Sequence, residues 1–219
     1  MSPYLHRVIL VVFGLGGLLA GCETVKTLQL AYRAETKKCD LSPTRDQIDT
    51  LPYSQLFVKI GDACGTLILG DVRGEDWYWY SSDKTVLVTR NGLVVKTIGF
   101  GVDRVNTVPL NGDLFRKKTR LWEEGNFSYI IDFTKHYGIT VHAEFVVMGQ
   151  ETIEIVGKKF DTLHLTSEQR TSDKKWTFTD HYWVDVSSGF IWKSIQHTAP
   201  GLPAHEIQVL KVVGNPVNP

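Results

Sequence analysis

The segment that decides the fold comprises residues 85–97, TVLVTRNGLVVKT, in which two short apolar runs flank Asn91-Gly92. Runs rich in Val and Thr favour β-strands, and Asn-Gly is the strongest short-range signal for a tight β-hairpin. The segment therefore predicts two antiparallel strands, residues 85–89 and 93–97, joined by a two-residue turn.

The same alternation of short β-rich runs and turn residues continues on both sides of this hairpin. Further strands are predicted at residues 55–60, 65–69, 140–148, 151–156, 162–166, 175–186, 190–197 and 206–213. Turns are predicted at residues 61–64, at Gly149-Gln150 and at residues 187–189, whereas residues 99–126 form the least regular stretch. About ten to twelve strands without crossover helices predict an all-β fold, an antiparallel β-sandwich or a partly open barrel.

Helix signals are confined to the N-terminal part of the chain. Residues 23–38 contain neither Gly nor Pro and carry apolar residues at helical spacing, which predicts a short amphipathic helix. Ser42-Pro43 resembles a helix N-cap followed by Pro at the first helical position, so a brief helix is expected to begin there and to stop before Pro52. We therefore expect one or two short helices ahead of the strands.

The first residues have the pattern of a bacterial lipoprotein signal. An apolar run over residues 8–20 is too short to span a bilayer, and Leu18-Leu19-Ala20-Gly21-Cys22 resembles a lipobox. The alternative is an ordinary cleaved signal with a chance cysteine. We predict a signal peptide at residues 1–21, a lipid anchor on Cys22 with a helical segment over residues 22–49, and a single antiparallel β domain over residues 50–219.

The charge of the chain is balanced, with 24 Lys and Arg residues against 24 Asp and Glu residues. Removal of the signal takes away Arg7 and leaves a net charge of −1. A nucleic-acid partner is not expected, because phosphate binding requires clustered basic charge. The acyl chains on Cys22 would instead hold the protein at a membrane. By analogy with lipoproteins of bacteria with two membranes, Glu23 rather than Asp after the cysteine predicts the outer membrane.

Two further cysteines, Cys39 and Cys64, lie in a chain that is expected to enter an oxidising compartment. A disulfide between them is one expectation, and two separate buried thiols are the other. Neither cysteine belongs to a CxxC motif or stands beside a His, so a metal site or a catalytic thiol is not expected.

Aromatic residues are the main candidates for a ligand site or an interface. Trp77, Tyr78, Trp79 and Tyr80 are consecutive, so a strand would present two rings on each face. Trp183 and Trp192 are candidates of the same kind, because each ring is either exposed or packed in the core. Exposed rings would stack on sugars or form a protein interface, and the alternative is that all six rings pack in the core.

The sequence carries no established catalytic, metal or cofactor motif, so no catalytic residue, metal or cofactor is predicted. His142 and Glu144 would face the same side of a strand, but a solvated polar face explains them better than metal binding. Asp180 and His181 are adjacent in a predicted strand and would point to opposite faces, which disfavours a direct catalytic dyad.

Several blocks of the chain together resemble the group 4 capsule polysaccharide lipoprotein family of the YjbF/GfcB type. They are Leu51-Pro52-Tyr53, Val58-Lys59-Ile60-Gly61-Asp62, Trp79 with Ser81-Ser82-Asp83, Val86-Leu87-Val88-Thr89-Arg90-Asn91-Gly92 with Lys96-Thr97-Ile98-Gly99, Tyr182-Trp183-Val184-Asp185, Ser188-Gly189-Phe190-Ile191-Trp192-Lys193-Ser194, and Gln196, Pro200, Pro203 and Val209-Leu210-Lys211. The resemblance extends over residues 50–211 and is weakest over residues 103–149. Leu93 stands where the family pattern suggests a basic residue, which would change local surface charge.

The resemblance implies an outer-membrane lipoprotein that faces the periplasm and takes part in exopolysaccharide or capsule production, assembly or export. It implies no enzymatic activity. The expected partners are a periplasmic protein and an outer-membrane barrel protein of the same pathway, with the polysaccharide as a further candidate. A non-catalytic interaction module is the leading hypothesis. A lipid- or glycan-binding carrier with an open barrel is the alternative, and a polysaccharide-modifying enzyme is the weakest.

The lipobox leads to the first prediction, that Cys22→Ala abolishes lipidation because the variant lacks the thiol that is acylated. The precursor should accumulate or the protein should leave the membrane fraction, as measured by metabolic labelling with a fatty acid and by fractionation. Normal membrane attachment of the variant would contradict the lipoprotein assignment.

Overall fold

The computed structural model describes residue 39, residues 43–111 and residues 125–214. It contains helix α1 at Arg45–Thr50. The strands are β1 Gln55–Ile60, β2 Ala63–Arg73, β3 Asp76–Tyr80, β4 Val86–Arg90, β5 Leu93–Ile98, β6 Arg104–Asn111, β7 Gly125–Phe133, β8 His136–Ile155, β9 Lys158–Thr171, β10 Thr177–Asp185, β11 Ile191–Gln196 and β12 His205–Lys211.

These twelve strands form one antiparallel sheet in the order β5-β4-β3-β2-β1-β12-β11-β10-β9-β8-β7-β6. The first and last strands of the chain pair with each other, because β1 lies between β2 and β12. The sheet curls until its two edge strands, β5 and β6, lie next to each other in a nearly closed barrel. The predicted all-β antiparallel architecture is confirmed, in the form of a partly open barrel.

Helix α1 begins two residues later than the sequence pattern suggested. Its N-cap is Thr44, whose side chain accepts a hydrogen bond from the Gln47 amide, while the Gln47 side chain accepts one from the Thr44 amide. This reciprocal capping box satisfies two backbone donors, which explains why Thr44, rather than Ser42, caps the helix. The helix predicted over residues 23–38 lies outside the described residues.

The predicted turn at Gly149-Gln150 is wrong, because β8 continues through it. The pairing of β8 with β9 shifts register between Val147 and Gly149, and Gly149 has a φ of 139°. Glycine adopts this backbone conformation without steric cost, so the strand bends here instead of ending. The turn lies instead at Val156-Gly157, and the strands on either side of it are 20 and 14 residues long.

Strand β6 lies inside the stretch that the sequence left irregular. Its hydrogen-bonded partner in the sheet is β7, and its other edge faces β5 without ladder pairing. Pro109 has no amide hydrogen to donate and is tolerated at such an edge. Strand β6 shows little of the apolar alternation that marks a half-buried strand, so the sequence pattern did not reveal it.

The β4–β5 hairpin is buried on both faces. Val88 of β4 contacts a cluster that includes Ile131 of β7 and Leu165 of β9. Leu87, the next residue of β4, contacts a second cluster that includes Leu56 of β1. The hairpin therefore fills the space between two parts of the curled sheet.

Leu93 belongs to the interior and has no bearing on surface charge. Its side chain is 3% exposed and packs in the first of these two clusters. The expectation that Leu93 alters local surface charge is therefore wrong. Leu93 directly follows the turn of the β4–β5 hairpin, and it is internal because both faces of this hairpin are buried in the barrel.

Side chains complete the closure where β5 and β6 form no ladder. The buried Arg104 guanidinium of β6 donates to the carbonyl oxygens of Val94 on β5 at 2.9 Å, His197 at 3.0 Å and Thr198 at 3.2 Å. The Thr107 hydroxyl donates to the Val95 carbonyl at 2.8 Å. These bonds replace the missing backbone ladder and tie β6 both to β5 and to the segment that follows β11.

A polar network crosses the interior beside Arg104. Asp180 accepts hydrogen bonds from the side-chain Nε2 of Gln169 at 2.8 Å and from the Tyr182 hydroxyl at 3.2 Å. It also accepts hydrogen bonds from the backbone amide and the Nδ1 of His197, at 2.8 and 2.9 Å. The Tyr129 hydroxyl donates to Gln169. Burial raises the pKa of Tyr129 and of Tyr182, so both phenols stay protonated. The cavity here has a volume of about 20 Å³, enough for a single water.

A second apolar layer lies outside the barrel. The tip of the β8–β9 hairpin folds back so that Ile155 packs with Phe57 of β1, Leu210 of β12 and Ile48 of helix α1. A disulfide joins Cys39 and Cys64 next to this layer, with a Cα–Cα distance of 5.3 Å. On the loop-closure model, a cross-link of this span stabilises the fold by about 3.5 kcal/mol.

The inserted hairpin can be tested with two glycine substitutions. Gly92 has a φ of 82°, and a Cβ there would lie 2.7 Å from the Ile191 Cβ; Gly74 has a φ of 61° and open space around it. Gly74→Ala should cost about 1 kcal/mol from backbone strain alone. Gly92→Ala should cost about 1–3 kcal/mol more because of overpacking.

Denaturant titration of the two variants measures their free energies of unfolding, and the loss should be larger for Gly92→Ala than for Gly74→Ala. Equal losses at Gly74 and Gly92 would contradict insertion of the β4–β5 turn against β11.

Candidate binding groove

A surface groove of about 640 Å³ lies where the bent part of the β8–β9 hairpin meets the end of β10. It is lined by residues 150–152, 159–162 and 185–187, and we call it the hairpin groove. Its volume falls within the range of about 300–1,000 Å³ that is typical of ligand sites. Three of the lining residues, 150–152, directly follow the bend at Gly149.

Asp185, the last residue of β10, is one of the residues that line the hairpin groove. Its Oδ1 accepts hydrogen bonds from the amides and hydroxyls of Ser187 and Ser188, at 2.6–3.1 Å, and its Oδ2 accepts one from Trp192 Nε1 at 3.2 Å. Burial raises the pKa of Asp185, but the hydrogen bonds from Ser187, Ser188 and Trp192 outweigh it and lower the pKa to about 2. Asp185 is therefore an ionised structural residue.

Asp161 keeps part of its hydrogen-bonding capacity open towards the groove. Its Oδ1 accepts a hydrogen bond from the Thr152 hydroxyl at 2.8 Å, whereas its Oδ2 accepts none from the residues that the structure describes. The side chain is exposed, as is that of Thr152. A ligand with hydroxyl donors would find a ready acceptor here.

Phe160, one of the lining residues, begins a row of aromatic ring contacts. The ring of Phe160 lies 4.2 Å from that of Trp192, measured between centroids, and Phe190 connects Trp192 to Trp77 at centroid distances of 4.7 and 6.1 Å. Two of the aromatic residues singled out in the sequence, Trp77 and Trp192, thus belong to one chain of ring contacts.

Trp183 lies near the groove but its ring is covered. His164 stacks on it with a centroid distance of 4.7 Å and an interplanar angle of 2°, and the Lys193 ammonium lies 4.3 Å from the ring centroid. The indole Nε1 donates to Glu151, and His164 Nε2 lies 3.1 Å from His181 Nδ1. With 9% of its surface exposed, Trp183 packs within the protein and offers no platform for a ligand.

The electrostatics of this stack keep His164 neutral near pH 7. Burial lowers the pKa of His164, and the charges of His181 and Lys193 lower it further, against an opposing effect of Glu151. A neutral imidazole stacks on indole without the desolvation cost of a charged ring.

The run of four aromatic residues on β3 is divided between the interior and the surface. Trp79 is 1% exposed and donates to the Thr89 hydroxyl, and Trp77 on the same face is half-buried. On the other face, the half-buried Tyr78 lies under the Arg73 guanidinium, and Tyr80 is exposed. Trp79 is thus the most buried of the four rings, and Tyr80 is the most exposed.

The remaining candidate residues have separate places. Cys22 lies outside the described residues. His142 and Glu144 are both exposed on β8, and His142 contacts the hydroxyls of Ser128 and Ser172. Within residues 43–111 and 125–214, no cluster of three metal-ligating side chains exists.

Asp180 and His181 lie on opposite faces of β10. Asp180 is part of the buried network, whereas His181 lies in the Trp183 stack outside the barrel. No helix in the described part of the chain is long and apolar enough to cross a membrane.

Sequence reasoning missed the hairpin groove. Two of its lining residues, Asp161 and Phe160, belong to no motif. The incorrect turn at Gly149-Gln150 also hid the pairing of Asp161 with Thr152 and of Phe160 with Ile153. The sequence did contain one usable signal. If Gly149 is interpreted as a bulge, Val156-Gly157 becomes a better candidate for the hairpin turn than Gly149-Gln150.

Comparisons with known proteins point to one family. Residues 23–210 match the family model described as Group 4 capsule polysaccharide lipoprotein gfcB, YjbF. The chain is 27% identical to the uncharacterized lipoprotein GfcB of Escherichia coli (strain K12), over 94% of this chain and 99% of the relative. It is 23% identical to the uncharacterized lipoprotein YjbF of the same organism, over 70% of this chain and 73% of the relative.

A solved structure shares the fold. The crystal structure of the hypothetical lipoprotein YmcC from Escherichia coli (K12) aligns with a TM-score of 0.67 at 22% identity. The alignment covers 84% of this chain and 95% of that chain. The likeness supports the barrel architecture.

The lowered pKa of Asp185 leads to a prediction about stability. A carboxylate with a depressed pKa stabilises the folded state above its unfolded pKa, near 4, and loses that contribution as pH falls through 2. Because Asp185 is only partly buried, solvent screens its interactions, and Asp185→Asn should cost about 1 kcal/mol at pH 7; the difference from the wild type should shrink below pH 4.

Urea unfolding of both proteins at pH 7, 4 and 2.5 measures this difference. Asp62→Asn is the control, since Asp62 is exposed in the turn between β1 and β2 and its carboxylate accepts no hydrogen bond from the residues that the structure describes. A pH-independent difference for Asp185→Asn would show that the carboxylate charge is not the stabilising feature.

Proposed function

Because the chain belongs to the group 4 capsule polysaccharide lipoprotein family, we propose that it takes part in exopolysaccharide or capsule production as a non-catalytic interaction module at the outer membrane. The family match over residues 23–210 carries this proposal, since it includes nearly all of the chain after the predicted acylation site. The match begins at the residue that follows Cys22.

The state of two acidic residues, Asp185 and Asp180, supports a non-catalytic role. A general acid needs a raised carboxyl pKa, whereas Asp185 in the hairpin groove has a lowered one and is held by its own turn. Asp180 is buried and accepts four hydrogen bonds from protein groups. Both carboxylates are therefore committed to the fold.

The filled interior argues against the carrier alternative. An acyl chain or a glycan inside the barrel would need the space that the β4–β5 hairpin occupies, and the cavity beside Arg104 has room for about one water. Recognition is expected on the outer surface instead.

The proposed location follows from the anchor and the disulfide. The disulfide between Cys39 and Cys64 suits an oxidising compartment such as the periplasm. An acyl anchor on Cys22 would hold the barrel at the periplasmic side of the outer membrane. There it would meet a barrel protein and a periplasmic protein of the same export pathway, together with the polymer.

Deletion of the gene tests this function, with secreted and capsular polysaccharide as the readout. The deletion should lower polymer output, and plasmid-borne wild type should restore it because the loss is specific to this chain. Affinity capture from solubilised membranes should recover the pathway's barrel or periplasmic protein. Unchanged polymer output in the deletion strain, under conditions in which the polymer is made, would overturn the proposal.

A further inference from the structure

The disulfide fixes the N-terminal chain at one end of the barrel. Neighbouring strands are antiparallel and follow one another along the sheet, so the β1–β2, β3–β4, β5–β6, β7–β8, β9–β10 and β11–β12 connections share that end. Cys64 is the second residue of β2 and lies there. The chain that comes from the predicted acylation site at Cys22 therefore reaches the barrel, through Cys39, at this end. We call it the anchored end.

The tether between the acylation site and the barrel is short. Residues 23–38, sixteen in number, separate Cys22 from Cys39. They span at most about 55 Å when fully extended and about 24 Å when helical. Such a tether keeps the barrel at a high effective concentration near the bilayer, so weak surface contacts are enough to dock it. Because the tether is attached at the anchored end, that end is the one it brings to the bilayer.

Two loops of the anchored end carry no free charge. Residues 197–204, between β11 and β12, contain no Lys, Arg, Asp or Glu. Residues 99–103, between β5 and β6, contain one charged residue, Asp103. Its carboxylate accepts hydrogen bonds from the backbone amides of Gly99 and Phe100, at 2.9 and 3.0 Å. A surface without free charge enters a lipid interface without the desolvation cost of a charged group.

The same two loops adjoin each other and the turn beside the disulfide. The ring of Phe100 lies 5.3 Å, centroid to centroid, from that of His205, where the β11–β12 loop enters β12. Pro203 Cγ of that loop lies 3.5 Å from the position that a Cβ on Gly61 would take in the β1–β2 turn. The two loops and the turn therefore form one continuous surface at the anchored end.

The exposed side chains of this surface are apolar. Every exposed residue of the two loops is Gly, Pro or Val, and Ile98 at the end of β5 is exposed beside them. The neutral rim, as we call this set, consists of Ile98, Val102, Pro200, Leu202 and Pro203. Apolar side chains next to an acyl anchor suit the boundary between headgroups and acyl chains, because each gains free energy by leaving water.

We propose that the neutral rim lies against the lipid bilayer that holds the acyl chains of Cys22, so that the barrel stands on its anchored end. This inference rests on the membrane anchor of the proposed function and assigns the face that meets lipid. Val213, which follows β12 at the opposite end, then faces the periplasm. Because the rim has no free charge, the contact should persist at high salt and with zwitterionic lipid.

Spin labels at two matched sites test which end meets the lipid. Val102 and Val213 are 41% and 44% exposed and lie at opposite ends of the barrel. Val102→Cys and Val213→Cys are each labelled with a nitroxide, with the disulfide kept oxidised, and the full lipidated protein is reconstituted in phosphatidylcholine vesicles. Collision with oxygen, which dissolves in hydrocarbon, is compared with collision with a water-soluble nickel complex.

The label at Val102 should collide with oxygen, relative to the nickel complex, several-fold more often than the label at Val213. Equal ratios at the two sites, or a higher ratio at Val213, would overturn the proposal. Loss of the difference at high salt would also overturn it, because a contact made by apolar burial is not screened.

Matched charge substitutions test whether the apolar side chains make the contact. Val102→Asp introduces a charge that must leave the lipid, and Val213→Asp introduces the same charge at the opposite end. In vesicles, hydrogen exchange of the amides of residues 197–204 should become faster in Val102→Asp and stay as in the wild type in Val213→Asp. Thermal unfolding in detergent shows that both variants are folded. Equal exchange in the wild type and Val102→Asp would contradict the lipid contact.

Flotation of the vesicles separates the failure of this inference from that of the anchor. Wild-type protein that does not float with the vesicles refutes the anchor and the docking together. Protein that floats while its Val102 label stays as open to the nickel complex as the Val213 label refutes the docking alone.

Two further results complete the test. Shielding of the Val102 label in native membranes but not in vesicles assigns the neutral rim to a protein partner and overturns the lipid contact. Unchanged polymer output in the deletion strain refutes the role in polysaccharide production, whereas a lowered output with an unshielded Val102 label refutes only the docking.

Discussion

The buried guanidinium of Arg104 is the interaction on which the rest of the architecture depends. A sheet of twelve strands that curls back on itself must bring its two edges together, and β5 and β6 meet without a backbone ladder. Arg104 supplies the closing bonds by donating to carbonyl oxygens on β5 and after β11. A planar group with five donors can serve several carbonyls at once, which a Lys ammonium does with less geometric definition.

The charge of Arg104 also explains the polar network beside it. A buried cation is tolerated where acceptors and an opposite charge are near, and Asp180 lines the same small cavity. Asp180 in turn orders Gln169, Tyr182 and His197, which belong to three different parts of the chain. The interior is thus held by a defined set of hydrogen bonds, which favours one arrangement of the strands over others.

Closure of the barrel has a functional consequence. Because the β4–β5 hairpin is buried on both faces, the barrel encloses packed side chains and almost no free volume beside Arg104. Outside the barrel, the β8–β9 hairpin folds over β1 and β12 and is fixed by the layer around Ile155. This layer holds the tip of the hairpin, and the hairpin carries most of the groove lining.

The sequence by itself determined the antiparallel class, the Asn91-Gly92 hairpin and most strands that alternate strictly, since these features depend on local backbone preferences and on period-two patterning. It also determined the family, through short blocks that stand in a fixed order. The tertiary structure alone decided that Gly149 is a bulge, that Leu93 is internal and that Phe160 meets Trp192. Each of these depends on contacts between residues far apart in the chain, and a local pattern is the same whether a hairpin is inserted in the barrel or exposed.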